Sequence, residues 1–199
     1  METSNQNLKY YDQHASEYSF KTSKFDMSAI RKEFMTFLPK GGTILDAGCG
    51  PGWDILGFLE HGFQVEAFDA SESMVNIAKK NTGISIRKMF FQEMDYENNF
   101  DGVWANASLL HIGQDELLPV IKKISTSLKQ GGHFFASFKY GQGTLFENGR
   151  WFTMMTETEL MRIIKSFSEF NLLRIWKSKD VGKRKNLEWI NFIIQKTDC

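Results

Sequence analysis

A glycine-rich turn that directly follows a short apolar run constrains this chain more than any other feature of its sequence. The run Thr43–Ala47 is typical of a buried strand, and the turn after it contains Gly48, Gly50 and Gly52. A helical pattern begins at Trp53. Glycine lets a backbone approach a ligand closely and adopt positive φ angles. This succession predicts an α/β unit that binds a ligand at the turn, although the glycines could also serve only to make the turn tight.

Two acidic residues indicate which ligand the turn would hold. Asp46 precedes the first glycine, and Asp69 ends the next predicted strand. A carboxylate at the end of that strand can accept hydrogen bonds from both ribose hydroxyls of a nucleoside. A carboxylate at position 46 would repel a pyrophosphate but suits a cationic amino-acid group. The glycines also follow G-x-G-x-G and not the G-x-G-x-x-G of dinucleotide sites, so the pattern favours S-adenosylmethionine over a nicotinamide dinucleotide.

The rest of the chain alternates between helix-like and strand-like segments. Helical patterns cover residues 53–61, 72–81, 115–129 and 157–167, and strand-like patterns cover 63–68, 84–90, 100–105, 133–138, 172–177 and 189–194. Such alternation predicts an α/β fold with a doubly wound, Rossmann-like, mostly parallel sheet of seven strands and helices on both faces. The last two strands flank a polar segment, which predicts an antiparallel hairpin at the C-terminal edge.

The N-terminal part of the chain precedes the sheet and looks helical over residues 8–37. We therefore expect residues 1–40 to form a helical cap over the ligand edge. Residues 41–199 are expected to form one compact domain, in keeping with a length of 199 residues.

Charge and cysteine content argue against several functions. Lys plus Arg number 24, as do Asp plus Glu, so the chain lacks the basic excess that nonspecific nucleic-acid binding requires. No apolar run of about 18 residues predicts a membrane span, and the polar start has no signal-peptide core. The two cysteines, Cys49 and Cys199, show no disulfide framework, which favours the reducing cytoplasm. No cluster of His, Cys or acidic residues has the spacing of metal ligands.

The segment from Asp46 to Gly52, with the sequence DAGCGPG, resembles the first motif of class I S-adenosylmethionine-dependent methyltransferases. Residues 100–104 are similar to the fourth-strand motif of that family, and residues 108–112 to the loop after it. Residues 128–132 resemble the turn before the fifth strand. The resemblance covers nearly the whole chain and implies S-adenosylmethionine as the cofactor.

Two further segments, 137–141 and 149–153, resemble a bacterial subgroup of small-molecule methyltransferases labelled tellurite-resistance-like. The resemblance implies transfer of a methyl group to a small-molecule acceptor by in-line displacement. The protein then mainly aligns the reactants and excludes water, because the cofactor carries the chemistry.

The family pattern and the strand ends together imply a set of cofactor contacts. These are Tyr11, Tyr18, Asp46, Gly48, Cys49, Gly50, Asp69, Ala70, Met74, Phe90, Phe91, Asn106 and Ala107. Many relatives carry an Asp where this chain has Phe90, so apolar contacts and backbone groups would hold the adenine here, with Glu93 a weaker substitute. Met74 could equally be plain helix core, and the two tyrosines could simply anchor the N-terminal helix.

The residues near the acceptor are less sharply defined by the sequence. His111 follows the fourth strand, where it could act as a general base or only line the cofactor. Lys139, Tyr140 and Arg150 could line the acceptor pocket, and either cation could hold an anionic acceptor or be a plain surface charge. The basic segment 179–185 is interpreted as a solvated turn that blunts a sheet edge, with RNA contact as the alternative.

The sequence therefore predicts a methyltransferase that acts on a small molecule. Methylation of RNA or protein stays open, as does an S-adenosylmethionine-binding module without catalysis. The stretch after the fourth strand, Asn106-Ala107-Ser108-Leu109, lacks the prolines of an Asn-Pro-Pro-aromatic motif, which disfavours amino methylation of nucleic acids. A monomer and a homodimer are equally compatible with the sequence.

Overall fold

The computed structural model describes residues 2–198, with side chains from residue 5 onward, so Cys199 lies outside the described residues. Its centre is a sheet of seven strands, which are β1 (Thr43–Ala47), β2 (Gln64–Asp69), β3 (Arg87–Lys88), β4 (Phe100–Ala105), β5 (Leu128–Lys139), β8 (Phe170–Lys179) and β9 (Glu188–Lys196). Their order across the sheet is β3-β2-β1-β4-β5-β9-β8. Strand β9 runs antiparallel to both neighbours, whereas the other pairs are parallel. The predicted Rossmann-like sheet is thus confirmed.

Helices pack on both faces of this sheet. They are α1 (Glu2–Thr22), α2 (Ser28–Met35), α3 (Trp53–Glu60), α4 (Glu72–Thr82), α5 (Gln114–Ser127) and α6 (Glu157–Lys165). Side chains alternate between the faces along each strand. Trp104 therefore packs with Phe34 of α2 and Phe58 of α3, whereas its neighbour Val103 belongs to the apolar cluster that includes α5 and α6. Within residues 2–198, no helix combines the length and the apolar character that crossing a membrane requires.

The two N-terminal helices lie in different places. Helix α1 crosses the carboxyl edge of the sheet, where Asp12 Oδ1 accepts a hydrogen bond from the Ser71 hydroxyl at 2.6 Å. Helix α2 packs on a face of the sheet, and its Phe34 is fully buried. The division into a cap of residues 1–40 and a domain of residues 41–199 therefore stays a prediction: α1 covers the ligand edge, whereas Phe34 of α2 is part of the core.

Several predicted elements have different bounds in the structure, and two of these differences have a clear cause. The strand expected over 84–90 is reduced to β3, which is an edge strand and pairs with β2 only beside Phe68 and Asp69. The helix expected to reach residue 129 ends at Ser127, because Leu128 already pairs with Phe100 and begins β5.

A second, two-stranded sheet has no counterpart in the sequence prediction. It is the hairpin of β6 (Thr144–Glu147) and β7 (Arg150–Thr153). Its turn consists of Asn148 and Gly149, both with positive φ angles of 50° and 77°. An Asn-Gly pair between alternating residues favours a tight hairpin, and this is the sequence signal that identifies it.

Candidate functional site

A cavity of about 310 Å³ lies at the carboxyl ends of the parallel strands. The loops after β1, β2 and β4 form its floor, and α1 lies over them. The hairpins β6–β7 and β8–β9 close the far side. Ligands of open α/β sheets bind at this edge, next to the strand where the order reverses. The cavity has one end between the tips of β1 and β2, and another, called the acceptor end below, under α1 and the two hairpins.

The turn after β1 combines a tight contact with open space. Gly48 and Gly50 have φ angles of 76° and 52°. A Cβ atom at Gly48 would lie 2.6 Å from the Cβ of Ser108, whose hydroxyl donates to the Ala47 carbonyl at 2.7 Å. A Cβ atom at Gly50 would meet nothing within 4 Å. Cys49 also lines the cavity, with a buried thiol. Gly48 is thus needed for packing, whereas Gly50 keeps part of the cavity open.

Asp69 joins the tips of the first two strands. Its Oδ2 accepts from the Gly50 N–H at 2.8 Å, and its Oδ1 accepts from the Ser71 N–H at 2.9 Å. Burial raises the pKa of Asp69 to about 6, even though these backbone N–H groups lower it. A carboxylate offers about four lone-pair sites, so each oxygen can still accept from one hydroxyl of a diol.

Asp46 is a buried carboxyl that is incompletely paired. It is 3% exposed, and its Oδ2 has no hydrogen-bond partner among the described residues. Burial raises the pKa of Asp46 well above its usual range, and the neighbouring carboxylates Asp54 and Asp69 raise it further. The side chain lies behind the turn and does not itself line the cavity. A buried oxygen without a donor is costly, so this position suits an ammonium group or a bridging donor.

The wall near β2 and β3 is mainly apolar. The predicted adenine contacts Ala70, Met74, Phe90 and Phe91 all line it. Met74 is 1% exposed and belongs both to the buried side of α4 and to the cavity wall. It can therefore be part of the helix core and also contact the adenine.

One polar group interrupts this apolar wall. Gln92 lines the cavity, and its buried Oε1 has no partner among the described residues. The Glu93 carboxylate accepts from the Phe90 backbone N–H at 2.8 Å and is not part of the cavity wall. The sequence prediction does not include Gln92; its position next to the Phe90–Phe91 pair is the signal that could have identified it.

A hydrogen-bond network fixes the loop after β4. Asn106 donates from Nδ2 to Asp54 at 3.0 Å and accepts at Oδ1 from the Ser137 hydroxyl at 2.9 Å. Ala107, with a φ angle of 51°, donates its N–H to the same hydroxyl at 2.8 Å. Both residues line the cavity. Because both polar ends of Asn106 are occupied, this side chain shapes the wall.

His111 is the centre of a hydrogen-bonded cluster beneath α1. Its Nε2 lies 2.7 Å from the Tyr11 hydroxyl, and its Nδ1 lies 3.0 Å from the Trp151 carbonyl. Asn7 holds the same backbone, accepting from the Trp151 N–H at 2.7 Å and donating to its carbonyl at 3.0 Å. Arg150 Nη1 donates to the Tyr11 hydroxyl at 3.3 Å. The cluster therefore joins α1 to the β4 loop and to hairpin β6–β7.

The contacts of His111 are compatible with either neutral tautomer. Nδ1 lies 3.0 Å from the Trp151 carbonyl, which only accepts, and 3.1 Å from Asn7 Nδ2, which only donates, and the Tyr11 hydroxyl at Nε2 can do either. Burial lowers the pKa of His111 to about 4, so the ring is neutral at neutral pH. Burial also raises the pKa of Tyr11 well above its usual range. The general-base role of His111 stays a prediction, and it requires Nε2 to exchange Tyr11 for the acceptor.

The predicted tyrosine contacts come from α1. Tyr11 and Tyr18 both line the cavity, with their rings edge to face and their centroids 5.2 Å apart. Tyr11 is held by His111, as an anchor would be, and it also faces the acceptor end. Anchoring of α1 and contact with a bound ligand are therefore compatible roles for Tyr11.

The predicted acceptor residues do not share one location. Lys139 and Arg150 line the cavity, and Lys139 Nζ pairs with Glu147 at 2.7 Å. Tyr140 lies outside the cavity, where its ring centroid is 3.8 Å from Lys177 Nζ. The prediction for Tyr140 is therefore corrected. Consecutive side chains of a strand point to opposite faces, so Lys139 and the residue after it cannot both face the site.

The turn between β8 and β9, interpreted from the sequence as solvated, closes one side of the acceptor end. Asp180 is 6% exposed and accepts from Arg184 Nη2 at 2.6 Å and from Trp189 Nε1 at 3.0 Å. Burial alone would raise the pKa of Asp180, but the hydrogen bonds from Arg184 lower it to about 2. Gly182 packs against the ring of Phe25, which a Cβ would approach to 2.8 Å. Asp180 is the only acidic residue of the basic segment 179–185, and this is the sequence feature that could have predicted its pairing with Arg184.

The end between β1 and β2 fits S-adenosylmethionine on three observations. Gly50 leaves open space, Asp69 keeps acceptor capacity for a diol, and Asp46 and Gln92 each have a buried oxygen without a donor. Among the side chains described, no group of three or more His, Cys, Asp or Glu residues is placed to hold a metal ion.

Comparison with known families and structures agrees with this fit. Residues 44–132 match the family model of a methyltransferase domain. The structure of 1,6-didemethyltoxoflavin-N1-methyltransferase from Burkholderia thailandensis, with bound 1,6-didemethyltoxoflavin and S-adenosylhomocysteine, has a TM-score of 0.83 to this chain. The alignment has 21% identity and covers 99% of this chain and 90% of that one. At this identity, the similarity shows the fold alone.

Curated relatives match over shorter stretches. Cypemycin N-terminal methyltransferase from a Streptomyces species is 28% identical over 100 residues, which are 48% of this chain and 41% of that protein. An uncharacterized methyltransferase from Staphylococcus carnosus is 27% identical over 159 residues, 75% of this chain and 76% of that protein. The chain thus aligns with less than half of the first relative's length. The named proteins methylate different kinds of acceptor, so similarity alone does not assign one here.

Proposed function

Because residues 44–132 match a methyltransferase domain, we propose that the chain is a class I S-adenosylmethionine-dependent methyltransferase and that it methylates a small molecule held at the acceptor end of the cavity. The domain match supports the family and the cofactor expected from the sequence. The observation that carries the small-molecule proposal is the enclosure of the acceptor end by α1, hairpin β6–β7 and hairpin β8–β9. Walls on these sides suit a compact acceptor better than an extended polymer.

When bound, S-adenosylmethionine supplies a methyl group on a sulfonium, whose leaving group is neutral. The residues of this chain would then hold and orient it. Asp69 and the Gly50 backbone would hold the ribose, and Asp46 would attract the amino group of the methionine part. Phe90, Phe91 and Gln92 would surround the adenine.

The residues at the acceptor end would align the acceptor with the methyl group and, for some acceptors, remove a proton from it. Buried aromatic side chains there exclude water, which favours an aligned displacement. A soft acceptor such as a thiolate needs no base. A hydroxyl acceptor would need one, and neutral His111 is the candidate, with its Nε2 directed to the Tyr11 hydroxyl.

The alternatives have less support. An RNA or protein acceptor would have to enter between α1 and the two hairpins, and the formal net charge of zero gives RNA little attraction. A non-catalytic binding module would have the same cofactor end as an active methyltransferase and would differ from it only by the lack of turnover. The cytoplasmic location stays a prediction from the cysteine content.

Transfer of a labelled methyl group separates these possibilities. The protein would be incubated with methyl-labelled S-adenosylmethionine and three fractions of a bacterial cell extract: dialysable metabolites, RNA and protein. We expect the label in the dialysable fraction, and none with Asp69→Ala. Label in RNA or protein would contradict the proposal, and no transfer in spite of cofactor binding would favour the non-catalytic module.

A further inference from the structure

Arg150 is a buried cation that faces the acceptor end without an anionic partner. Its side chain is nine-tenths buried, and its Nε is enclosed without a hydrogen-bond partner among the described residues. Its one hydrogen bond to a described side chain runs from Nη1 to the Tyr11 hydroxyl at 3.3 Å. Burial keeps the pKa of Tyr11 well above its usual range, so this partner is a neutral phenol and does not balance the charge.

The surrounding charges leave Arg150 unbalanced. Glu147 stands opposite Arg150 in hairpin β6–β7, but its carboxylate pairs with Lys139 Nζ at 2.7 Å. The carboxylate of Asp180 pairs with Arg184 at 2.6 Å. Lys139 and Arg150 are the buried cations that line this end of the cavity, and of these two Arg150 is the one without a carboxylate partner. Lys21 and Lys179 also line the cavity, but both are exposed to solvent.

Aromatic rings surround the free guanidinium. Its Cζ lies 4.3 Å from the ring centroid of Tyr10, 5.6 Å from that of Tyr11 and 5.1 Å from that of Phe152. Such contacts stabilise a cation partly. They do not satisfy its donors, and a buried charge is normally paired because removal from water is costly. The donor set of a guanidinium matches the two oxygens of a carboxylate.

We propose that the methyl acceptor carries a carboxylate, which pairs with Arg150 and directs the rest of the molecule towards the cofactor. This proposal rests on the proposed function and defines its substrate class. One unbalanced cation matches one negative charge, so a monoanionic carboxylate fits better than a dianionic phosphate. The aromatic walls favour an acceptor with a flat, apolar body.

Benzoate, phenyl phosphate and benzamide are suitable probes, because they share a flat ring and differ in charge. Each would be titrated by calorimetry into the free protein and into the protein saturated with S-adenosylhomocysteine. A hydrogen bond to a charged group is worth about tenfold or more in affinity. We therefore expect benzoate to bind at least about tenfold more tightly than benzamide, and more tightly than phenyl phosphate.

Variants then assign this preference to Arg150. Arg150→Gln should abolish the preference for benzoate over benzamide, whereas Arg162→Gln, at an exposed position of α6 outside the cavity, should retain it. Without ligand, Arg150→Gln should melt at the wild-type temperature or above, because it removes an unpaired buried charge. A purely structural arginine would instead lower the melting temperature with or without benzoate. If the Gln variant does not fold, Arg150→Lys should weaken benzoate binding about tenfold, since it loses the paired donors.

Each result bears on the proposal. Equal binding of benzoate and benzamide, no binding of either, tighter binding of phenyl phosphate, or a benzoate preference retained in the Arg150 variants would overturn it. Failure of S-adenosylhomocysteine to bind the wild type would instead contradict the proposed function, while the titrations of the free protein would still test the carboxylate site.

Discussion

Asp69 links the tips of β1 and β2, so Asp69→Asn probes the cofactor site most sharply. The carboxylate accepts from the Gly50 N–H at 2.8 Å and from the Ser71 N–H at 2.9 Å, and it would also accept from the ribose. Asn offers one acceptor oxygen in place of two and carries no charge. A hydrogen bond to a charged group contributes about 1.5–3 kcal/mol. The affinity for S-adenosylhomocysteine should therefore fall about 10- to 150-fold.

The pH dependence of binding tests the same role independently. Burial raises the pKa of Asp69 to about 6, and a diol donates to the ionised form. Binding should therefore weaken as the pH falls through 6, by up to about tenfold at pH 5 if only the carboxylate form binds. The Asn variant should lack this dependence.

Calorimetric titration with S-adenosylhomocysteine from about pH 5 to about pH 8 measures both effects. Asp95→Asn is the matched control, because the Asp95 side chain is 73% exposed and lies away from the cavity. Thermal melting checks that each variant is folded. Equal affinity of Asp69→Asn and the wild type, or a wild-type affinity that does not change below pH 6, would contradict the role of the Asp69 carboxylate in binding the ribose.

Three further predictions concern the acceptor end and the glycine turn. Tyr11→Phe removes the hydroxyl that binds His111 Nε2, so the free energy of unfolding in urea should fall by about 1–2 kcal/mol; unchanged stability would contradict the cluster. Gly50→Ala projects a Cβ into open space and should abolish cofactor binding at a stability cost of about 1 kcal/mol, whereas Gly48→Ala forces a Cβ against Ser108 and should lower the melting temperature more; the reverse order would contradict these assignments. Once an acceptor is known, His111→Ala should lower turnover about 100-fold or more if the ring is the base, and full turnover would reduce His111 to a positioning residue.

Much of the fold is predictable because its signals are local. The helix predicted over 72–81 is α4: the Ser71 hydroxyl accepts from the Met74 N–H at 3.1 Å, and Gly83, with a φ angle of 75°, follows the helix end. The strand Thr43–Ala47 is also recognisable alone, because a buried parallel strand is a short apolar run. The bounds of edge strand β3 cannot be recognised from its own sequence, because its length depends on its pairing with β2.

The candidate site also has one part that the local sequence predicts and another part that it does not. The glycine turn and Asp69 belong to one strand-turn-helix-strand unit, so their spacing carries the information. The acceptor end is built from residues far apart in sequence: Tyr11 and His111 come from α1 and the β4 loop, and Arg150 comes from a hairpin. The buried state of Asp180 depends on its bonds to Arg184 and Trp189 and on the packing of Gly182 against Phe25, between α1 and α2. No local pattern contains these contacts, because they arise from the packing of the whole chain.

We expect the tips of β1 and β2 to hold a nucleoside with a cationic amino-acid group. Calorimetric titration of the wild-type protein with S-adenosylmethionine, S-adenosylhomocysteine and NADH measures this directly. We predict that both sulfur compounds bind at one site per chain and that NADH does not compete with them. Binding of NADH alone, or of none of the three, would contradict this assignment of the site.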